Sequence, residues 1–493
     1  MIADRRTKIV GTIGPATSSP EMLAKIVEAG LNVARLNFSH GTHEDHDKVI
    51  TELRRISKEQ NAPIALLQDL QGPKIRISKV KNGSIILKDD QKITITTKKL
   101  LGDEKTLSTD FMSLPQDVKA GTHILLDDGN LEFVVDRVEG DDVFCTVITG
   151  GELKDNKGMN LPGARLTVDA LTEKDRIDLD FGLSRGVDYV ALSFVRSPQD
   201  IRQLREIIES KAKGTKIIAK IEKMEALDNL EEIIALSDGV MVARGDLAVE
   251  IGQSLLPGKQ KNIIRLCNLL GKPVITATQM LDSMITHPRP TRAEVTDIAN
   301  AVLDGTDAVM LSAETASGKY PVRCIETMDE IIREVERSDV RYYNMNLADG
   351  FLTVAEAIAE SACLSAMKLK ASAIVCLTTS GKTATLISRF RPKAKIVAVT
   401  HIISTLNRLE LVWGIQGIPI EPYTDTDAVM KAIEKYLIDY GICKVGDKVV
   451  LTMGLPVMER GTTNSVRVYT IKDMVPSKIS PHDFPLRCRP KEI

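Results

Sequence analysis

An excess of charge of either sign is missing from this chain: 65 Lys and Arg stand against 67 Asp and Glu, a formal net charge of −2 over 493 residues. Without a basic surplus there is no general attraction to nucleic acid or to an anionic membrane, so any phosphate binding must be local. Long apolar runs are missing too, and none approaches the roughly 20 residues of a membrane-spanning helix. The polar start Met1-Ile-Ala-Asp-Arg-Arg lacks the apolar segment of a signal peptide. Paired cysteines are the third absence. Cys145, Cys267, Cys324, Cys363, Cys376, Cys443 and Cys488 are odd in number and contain no Cys-x-x-Cys. That spacing argues against a zinc site and fits reduced thiols in a cytoplasm. What remains is the composition of a globular protein, long enough for two or three domains.

Apolar strand-like runs near 8–14, 32–38, 64–70, 189–195, 216–222, 238–244, 273–279 and 307–312 alternate with amphipathic helical stretches. The helical patterns fall at 20–29, 43–59, 197–211, 224–236, 257–270, 292–304 and 321–337. Thr291-x-x-Glu294 reads as a capping box, and Pro321 sits at a helix's first turn. Eight β-α units predict an α/β fold, a closed (β/α)8 barrel, over 1–72 and 166–340. The third strand's helix is missing from the pattern, and an insertion at 73–165 takes its place. Its alternating runs, such as Lys92-Ile-Thr-Ile-Thr-Thr97 and Leu131-Glu-Phe-Val-Val135, meet turns at Asp127-Asp-Gly129 and Glu139-Gly-Asp-Asp142. They predict a small antiparallel β-barrel acting as a lid. A second α/β unit follows at 341–475, with strands at Ala373–Thr379, Lys395–Thr400, Lys448–Met453 and Ser465–Ile471. The tail 476–493 carries no periodicity and no assigned role.

Two segments carry the chemistry: Ile217-Ile-Ala-Lys220-Ile-Glu222 and Val240-Met-Val-Ala-Arg244-Gly245-Asp246. Each is an apolar run that turns charged only at its end, and a buried charge must be paired or coordinated. Barrel active sites lie at the C-terminal ends of the strands. There the chain places Arg35 and Asn37, Asp69, Lys220 and Glu222, Asp246, Thr278, and Ser312 with Glu314. Any one could be a satisfied structural group; six strand ends together point to a divalent metal and an anionic oxygen in one mouth.

At this point the residues carry a resemblance. Asn32-Val-Ala-Arg-Leu-Asn-Phe-Ser-His-Gly41, Lys157-Gly-Met-Asn-Leu-Pro162, Lys220-Ile-Glu222, Arg244-Gly-Asp-Leu247, Ala277-Thr-Gln-Met-Leu281, Pro290-Thr-Arg-Ala-Glu-Val295 and Met310-Leu-Ser-Ala-Glu-Thr315 resemble pyruvate kinase, in that family's order. The resemblance implies phosphoryl transfer from phosphoenolpyruvate to ADP, giving pyruvate and ATP. It makes Glu222 and Asp246 the ligands of Mg²⁺ or Mn²⁺, for which hard oxygen donors are suited. Lys220 matches the lysine that stabilises the transferring phosphoryl and enolate oxygen, and Arg35 the phosphate-binding arginine. The Gly245-Asp246 backbone would meet the substrate carboxylate, and Thr278 would feed a proton to the enolate carbon through water. An ion pair of Lys220 with Glu222 is disfavoured on this reading, because their shared face already carries metal charge. Arg76 and Lys157 match nucleotide-phosphate contacts made when the lid closes. His40 belongs to the motif and is placed near the nucleotide, while His43 and His46 are expected on a solvated helix face. Family resemblance also implies a homotetramer.

Ser380-Gly-Lys-Thr383 imitates the end of a P-loop, but the required earlier glycine is Cys376, so that motif fails. The loop Thr378-Thr379-Ser380-Gly381-Lys382-Thr383 still follows a strand and opens a helix. It resembles the effector loop of pyruvate kinases, implying a sugar-phosphate or nucleotide effector. One departure stands out. The family's K⁺ ligands correspond to Asn37, Ser39, Asp69 and the Leu70 carbonyl, followed by a glutamate that here is Lys74; Leu70 and Gln71 also replace the usual Thr-Lys. A unit charge about 4 Å away is worth roughly 4 kcal/mol at an effective dielectric of about 20. The set resembles the K⁺-independent subgroup, with the Lys74 ammonium standing in for K⁺. Ala248 and Ala313, where many relatives have Gly, remove no functional group. Two rival readings are weighed. A Mg²⁺-dependent lyase or aldolase acting on an enolate needs no nucleotide-covering lid, and a non-catalytic metabolite sensor has no need to keep Lys220, Thr278 and both metal ligands.

Overall fold

The computed structural model describes residues 5–73, 75–164, 167–211, 214–338, 353–421, 426–454 and 463–472. Lys74, the expected boundaries near 165 and 340, and the tail 476–493 lie outside these described residues. Every apolar run predicted in the first two thirds of the chain, the insertion aside, forms a strand: β1 (Lys8–Ile13), β2 (Val33–Asn37), β3 (Ala65–Asp69), β4 (Tyr189–Leu192), β5 (Lys216–Ile221), β6 (Gly239–Ala243), β7 (Val274–Ala277) and β8 (Ala308–Leu311). They pair in parallel in chain order and close from β8 back to β1. Side chains alternate across each strand. Ile9, Leu66, Val190 and Ile217 pack outwards against helices, while Val10, Leu67, Ala191 and Ile218 fill the interior. On β5 the inward row runs Ile218, Lys220, Glu222, so one strand passes from core to chemistry within four residues.

The bottom of the barrel shows a fourfold device. Asn32, Asp188, Asp238 and Asp307 each immediately precede an even-numbered strand. Their side-chain oxygens accept the N–H of Ile9, Leu66, Ile217 and Val274, one on each odd-numbered strand. Each is answered by an arginine, in turn Arg5, Arg54, Arg205 and Arg391. These N–H groups, at the first or second residue of each odd strand, would otherwise be buried donors without partners, a costly state.

Helices follow the strands as predicted, including the Thr291–Glu294 capping box and the start at Pro321. Two differ. The 224–236 helix is split at Asn229 into Met224–Asp228 and Leu230–Leu236. The helix thought missing from the third unit is present after the insertion, at Glu173–Ser184. Its buried face carries Asp175 and Asp178 beside Leu179 and Leu183, so no apolar stripe announces it. Asp175 serves a capping box with Thr172 and accepts the Gly72 N–H at 3.1 Å, which ties the helix to the end of β3.

The insertion forms a six-stranded and a two-stranded sheet around a core of its own, including Ile95, Phe133, Val143 and Leu153. One of its strand pairs, Lys92–Thr96 with Thr106–Ser108, is parallel, against the all-antiparallel expectation. In the C-terminal unit the four predicted strands are joined by Ile415–Pro419, an edge strand whose apolar run is broken by Gln416, Gly417 and Pro419 and so is not legible in the sequence. This unit closes the barrel's base. Leu411 joins the interior cluster, the Lys8 ammonium donates to the Ile415 carbonyl at 2.7 Å, and the Tyr189 hydroxyl donates to the Arg408 carbonyl at 2.7 Å. No helix among the described residues is long and apolar enough to cross a membrane.

Candidate active site

At the opposite end of the barrel, one chain of contacts joins residues from β1, β2, β3, β4 and β5. Arg35 donates from Nε to Asp69 at 2.7 Å and from Nη1 to the Thr12 hydroxyl at 3.0 Å. Lys220 Nζ lies 3.2 Å from Asp69, 2.9 Å from Glu222 and 2.7 Å from the Ser193 hydroxyl, which in turn donates to the Leu70 carbonyl. Asp69 and Glu222 are both 1% exposed. Burial alone would raise the Asp69 pKa, but Lys220 and Arg35 overcome it and hold the carboxyl below its usual range. Burial likewise disfavours the charged form of Lys220, and Asp69 and Glu222 outweigh it, raising its pKa. The Lys220–Glu222 pair disfavoured on sequence grounds is therefore present. Two side chains two apart on a strand do share a face, and a fully buried carboxylate takes the nearest cation.

Glu222 also accepts the Phe194 N–H at 2.9 Å. Burial pushes its carboxyl up; Lys220 opposes the shift and half-buried Asp246 adds to it through like-charge repulsion. Among the described residues no cluster of three or more His, Cys, Asp or Glu side chains could hold a metal. Two carboxylates that repel each other at a cleft are nevertheless what Mg²⁺ uses, since it takes one or two protein carboxylates and completes its shell with water and phosphate oxygens. Glu222 and Asp246 fit that ion.

Thr278 and Gln279 follow β7 with φ of +69° and +54°. For a β-branched residue the left-handed region is a true outlier, sustained only where the surroundings impose it. Arg244 imposes it. Its Nε donates to the Ala277 carbonyl at 3.0 Å, its Nη2 to the Thr278 carbonyl, and its Nη1 to both oxygens of Asp297 at 2.7 and 2.8 Å. The Gly245 N–H donates to Thr278 Oγ1 at 3.0 Å, and the Thr278 hydroxyl donates to the Ala277 carbonyl at 2.7 Å. A Cβ on Gly245 would meet nothing nearer than Thr278 Oγ1 at 3.8 Å, so protein packing does not require the glycine.

Glu314 leaves the group of six strand ends. Glu314 is 1% exposed and accepts the N–H groups of Leu281 and Ser312 at 3.1 and 2.6 Å, pinning the loop after β7 to β8. Two residues the motifs did not single out join instead. Ser193 stands at the end of β4 and Thr12 near the end of β1, where the strand-end rule, applied to all eight strands, finds both.

The inserted domain meets the barrel across a cleft of about 320 Å³ lined by Arg76, Asp127, Lys157, Phe194, Lys223 and Asp246 among others. It brings Arg76 and Lys157 to the same space as Asp246. Lys157 is held within the inserted domain by Asp127 at 2.6 Å, an ion pair that lowers the Asp127 pKa. His40 is exposed and does not line this cleft. His43 and His46 are not on a solvated face. His43 stacks on Phe181 and bonds Asp178 at 2.7 Å, while His46 stacks on Phe38 with its pKa lowered by burial. In the monovalent-cation region, Asn37 Oδ1 accepts the Ser39 N–H at 3.1 Å, beside Asp69 and the Leu70 carbonyl already described. Lys74 lies outside the described residues. The loop from Thr378 to Thr383 forms a tight turn. Gly381 (φ +82°) donates to Thr378 Oγ1, Thr379 accepts from Thr405, Lys382 N–H reaches Ser380 Oγ at 3.4 Å, and Thr383 meets Thr463 at 2.5 Å.

Comparison with known proteins agrees with this architecture. Residues 4–325 match the family described as pyruvate kinase, barrel domain, and residues 356–469 match pyruvate kinase, alpha/beta domain. A pyruvate kinase of Geobacillus stearothermophilus is 45% identical over 478 residues, covering 96% of this chain and 81% of the relative. Pyruvate kinase 2 of Synechocystis sp. is 46% identical over 473 residues, covering 95% and 80%. The crystal structure of a pyruvate kinase from Cryptosporidium parvum superposes with a TM-score of 0.91 at 35% identity, covering 95% of this chain and 97% of that one. A closed eight-stranded barrel with charged strand ends, matched at such identity over nearly its whole length, leaves one assignment: the chain belongs to the pyruvate kinase family.

Proposed function

We propose that the reaction of the family, transfer of the phosphoryl group of phosphoenolpyruvate to ADP to give pyruvate and ATP, is carried here by Lys220, Arg35, Thr278, Gly245 and the carboxylates Glu222 and Asp246. The observation that carries this reading is the Lys220 ammonium, its side chain 12% exposed and held by Asp69, Glu222 and Ser193 at the barrel mouth. Glu222 and Asp246 would hold the Mg²⁺ or Mn²⁺ that the family requires, and the bound ion would supply positive charge against the phosphoryl oxygens. Arg35 has Nε and Nη1 committed to Asp69 and Thr12, which leaves Nη2 for the substrate phosphate. Lys220 stabilises charge that develops on the transferring phosphoryl and on the enolate oxygen, without a nucleophilic step. The Gly245 N–H cannot serve both Thr278 Oγ1 and a substrate carboxylate. Carboxylate binding therefore frees Thr278 Oγ1 to order the water that protonates the enolate, since a Thr hydroxyl is too weak an acid to act alone. Arg76 and Lys157 grip nucleotide phosphates, Lys157 by exchanging Asp127 for phosphate. Pyruvate and ATP production from phosphoenolpyruvate and MgADP tests the assignment. Lys220→Ala is expected to lower kcat by about 10²–10³-fold, as removal of one oxyanion donor does. Near-normal turnover by that variant would refute the role.

The finer reading is K⁺ independence. Asp69, one of the corresponding K⁺ ligands, is already neutralised by Arg35 and Lys220, and a Lys74 ammonium would repel a further cation. Activity is expected to persist in K⁺-free, Na⁺-free buffer, and strong activation by added K⁺ would overturn it. The division into barrel (1–72, 166–340), lid (73–165), regulatory unit (341–475) and tail (476–493), a sugar-phosphate or nucleotide effector on the 378–383 loop, a homotetramer and a cytoplasmic location complete the proposal.

A further inference from the structure

A second cleft, of about 820 Å³, opens between the barrel's last helix (Pro321–Ser338) and the C-terminal unit. Among the described residues six cations line it: Arg6, Arg333, Arg337, Lys370, Lys393 and Lys395. Glu336 is the one carboxylate among the described lining residues, and its oxygens are turned onto the N-terminal segment. It accepts the N–H groups of Arg6 and Thr7 and the Thr7 hydroxyl, all at 2.7 Å. Arg6 donates to the carbonyls of Pro392 and Ala394, and Arg333 pairs with Asp329 at 2.6 Å. Lys370 and Lys393 are exposed and enter no ion pair among the described residues, and Arg337 approaches Glu334 only to 3.9 Å. Met367 and Ile442 add an apolar wall. The volume suits a small metabolite.

Lys370 gives a second, independent sign. It ends the helix Val354–Leu369 in the left-handed region, φ +52°, where Ala371 N–H closes back on the Ala366 carbonyl. Glycine is the default for that position, and the chain uses it at Gly271 after Leu256–Leu270. Among the described residues a basic side chain is kept at positive φ just beyond a helix at one other place, Arg391, and there it binds Asp307. Backbone strain retained for a side chain points to a use for that side chain.

We propose that this cleft binds a phosphomonoester of a small metabolite, its phosphate on Lys370 and Lys393 and its body on Met367 and Ile442, bridging the barrel and the C-terminal unit at a site separate from the 378–383 loop. Calorimetric titration of the full chain with adenosine 5′-monophosphate and with glucose 6-phosphate, against adenosine and glucose as uncharged controls, tests it. At least one phosphomonoester should bind with a dissociation constant below about 1 mM. Lys370→Gly with Lys393→Gln should weaken that binding about tenfold or more, since two charge-assisted contacts are lost. The glycine relieves the positive φ, so the melting temperature is not expected to fall. Lys382→Gln, in the loop, should leave this binding in place. Binding abolished by Lys382→Gln and untouched by the double substitution would overturn the proposal, as would equal binding of the uncharged controls or no binding of either phosphomonoester.

Discussion

Thr278 is where the site's chemistry and its strain coincide. Its φ of +69° costs about 1–3 kcal/mol for a β-branched residue, and Arg244, anchored on Asp297, supplies the hydrogen bonds that hold it. Thr278→Gly is therefore expected to raise the melting temperature while lowering kcat, read by calorimetry alongside steady-state turnover. A variant both less stable and fully active would contradict this account. Much of the site was legible at this scale, because charge at the end of a buried strand has few uses. Lys220, Glu222, Asp69 and Arg35 do converge. What could not be read was the direction of each side chain. Glu314 has the same strand-end position as Asp246 but turns back onto two backbone N–H groups, and Ser193 was hidden inside an apolar run.

At the scale of the element, the fourfold Asx–arginine device explains how the barrel begins each strand pair. Asp238 is its third member. Burial would raise its pKa, but Lys216, the Ile217 N–H and Arg205 together lower it below the ordinary 3.8. A lowered carboxylate contributes stability that is fully present above the ordinary value and is lost as pH falls through the folded value. Asp238→Asn should thus cost about 1–3 kcal/mol at neutral pH, the worth of charge-assisted hydrogen bonds. The gap from the parent should close as the medium is acidified, measured as a melting-temperature difference against pH. A gap that widened on acidification would rule the account out. Strands were read well because apolar runs are long and bounded. The Glu173–Ser184 helix was missed because it turns aspartates, not an apolar stripe, towards its neighbours.

In the whole molecule, the C-terminal unit is the floor of the barrel. Arg391 crosses from it to Asp307 at 3.1 Å and to the Gly305 carbonyl at 2.9 Å, with its guanidinium 4.8 Å from the Trp413 ring centre, while Leu411 enters the interior. Arg391→Ala leaves the buried Asp307 carboxylate without its cation, a loss of about 3–5 kcal/mol. Scanning calorimetry should show a lower first transition with the two units melting apart, and an unchanged single transition would refute the coupling. By itself the sequence determined the barrel, its strand order and the charge at its mouth, since periodicity and the cost of burying charge act along a local stretch of chain. Only the tertiary structure decided that Lys220 sits between Asp69 and Glu222, that Arg244 holds Thr278, and that a C-terminal arginine completes the base of β8. Each of these joins residues from separate elements, and such contacts are chosen by how whole elements pack.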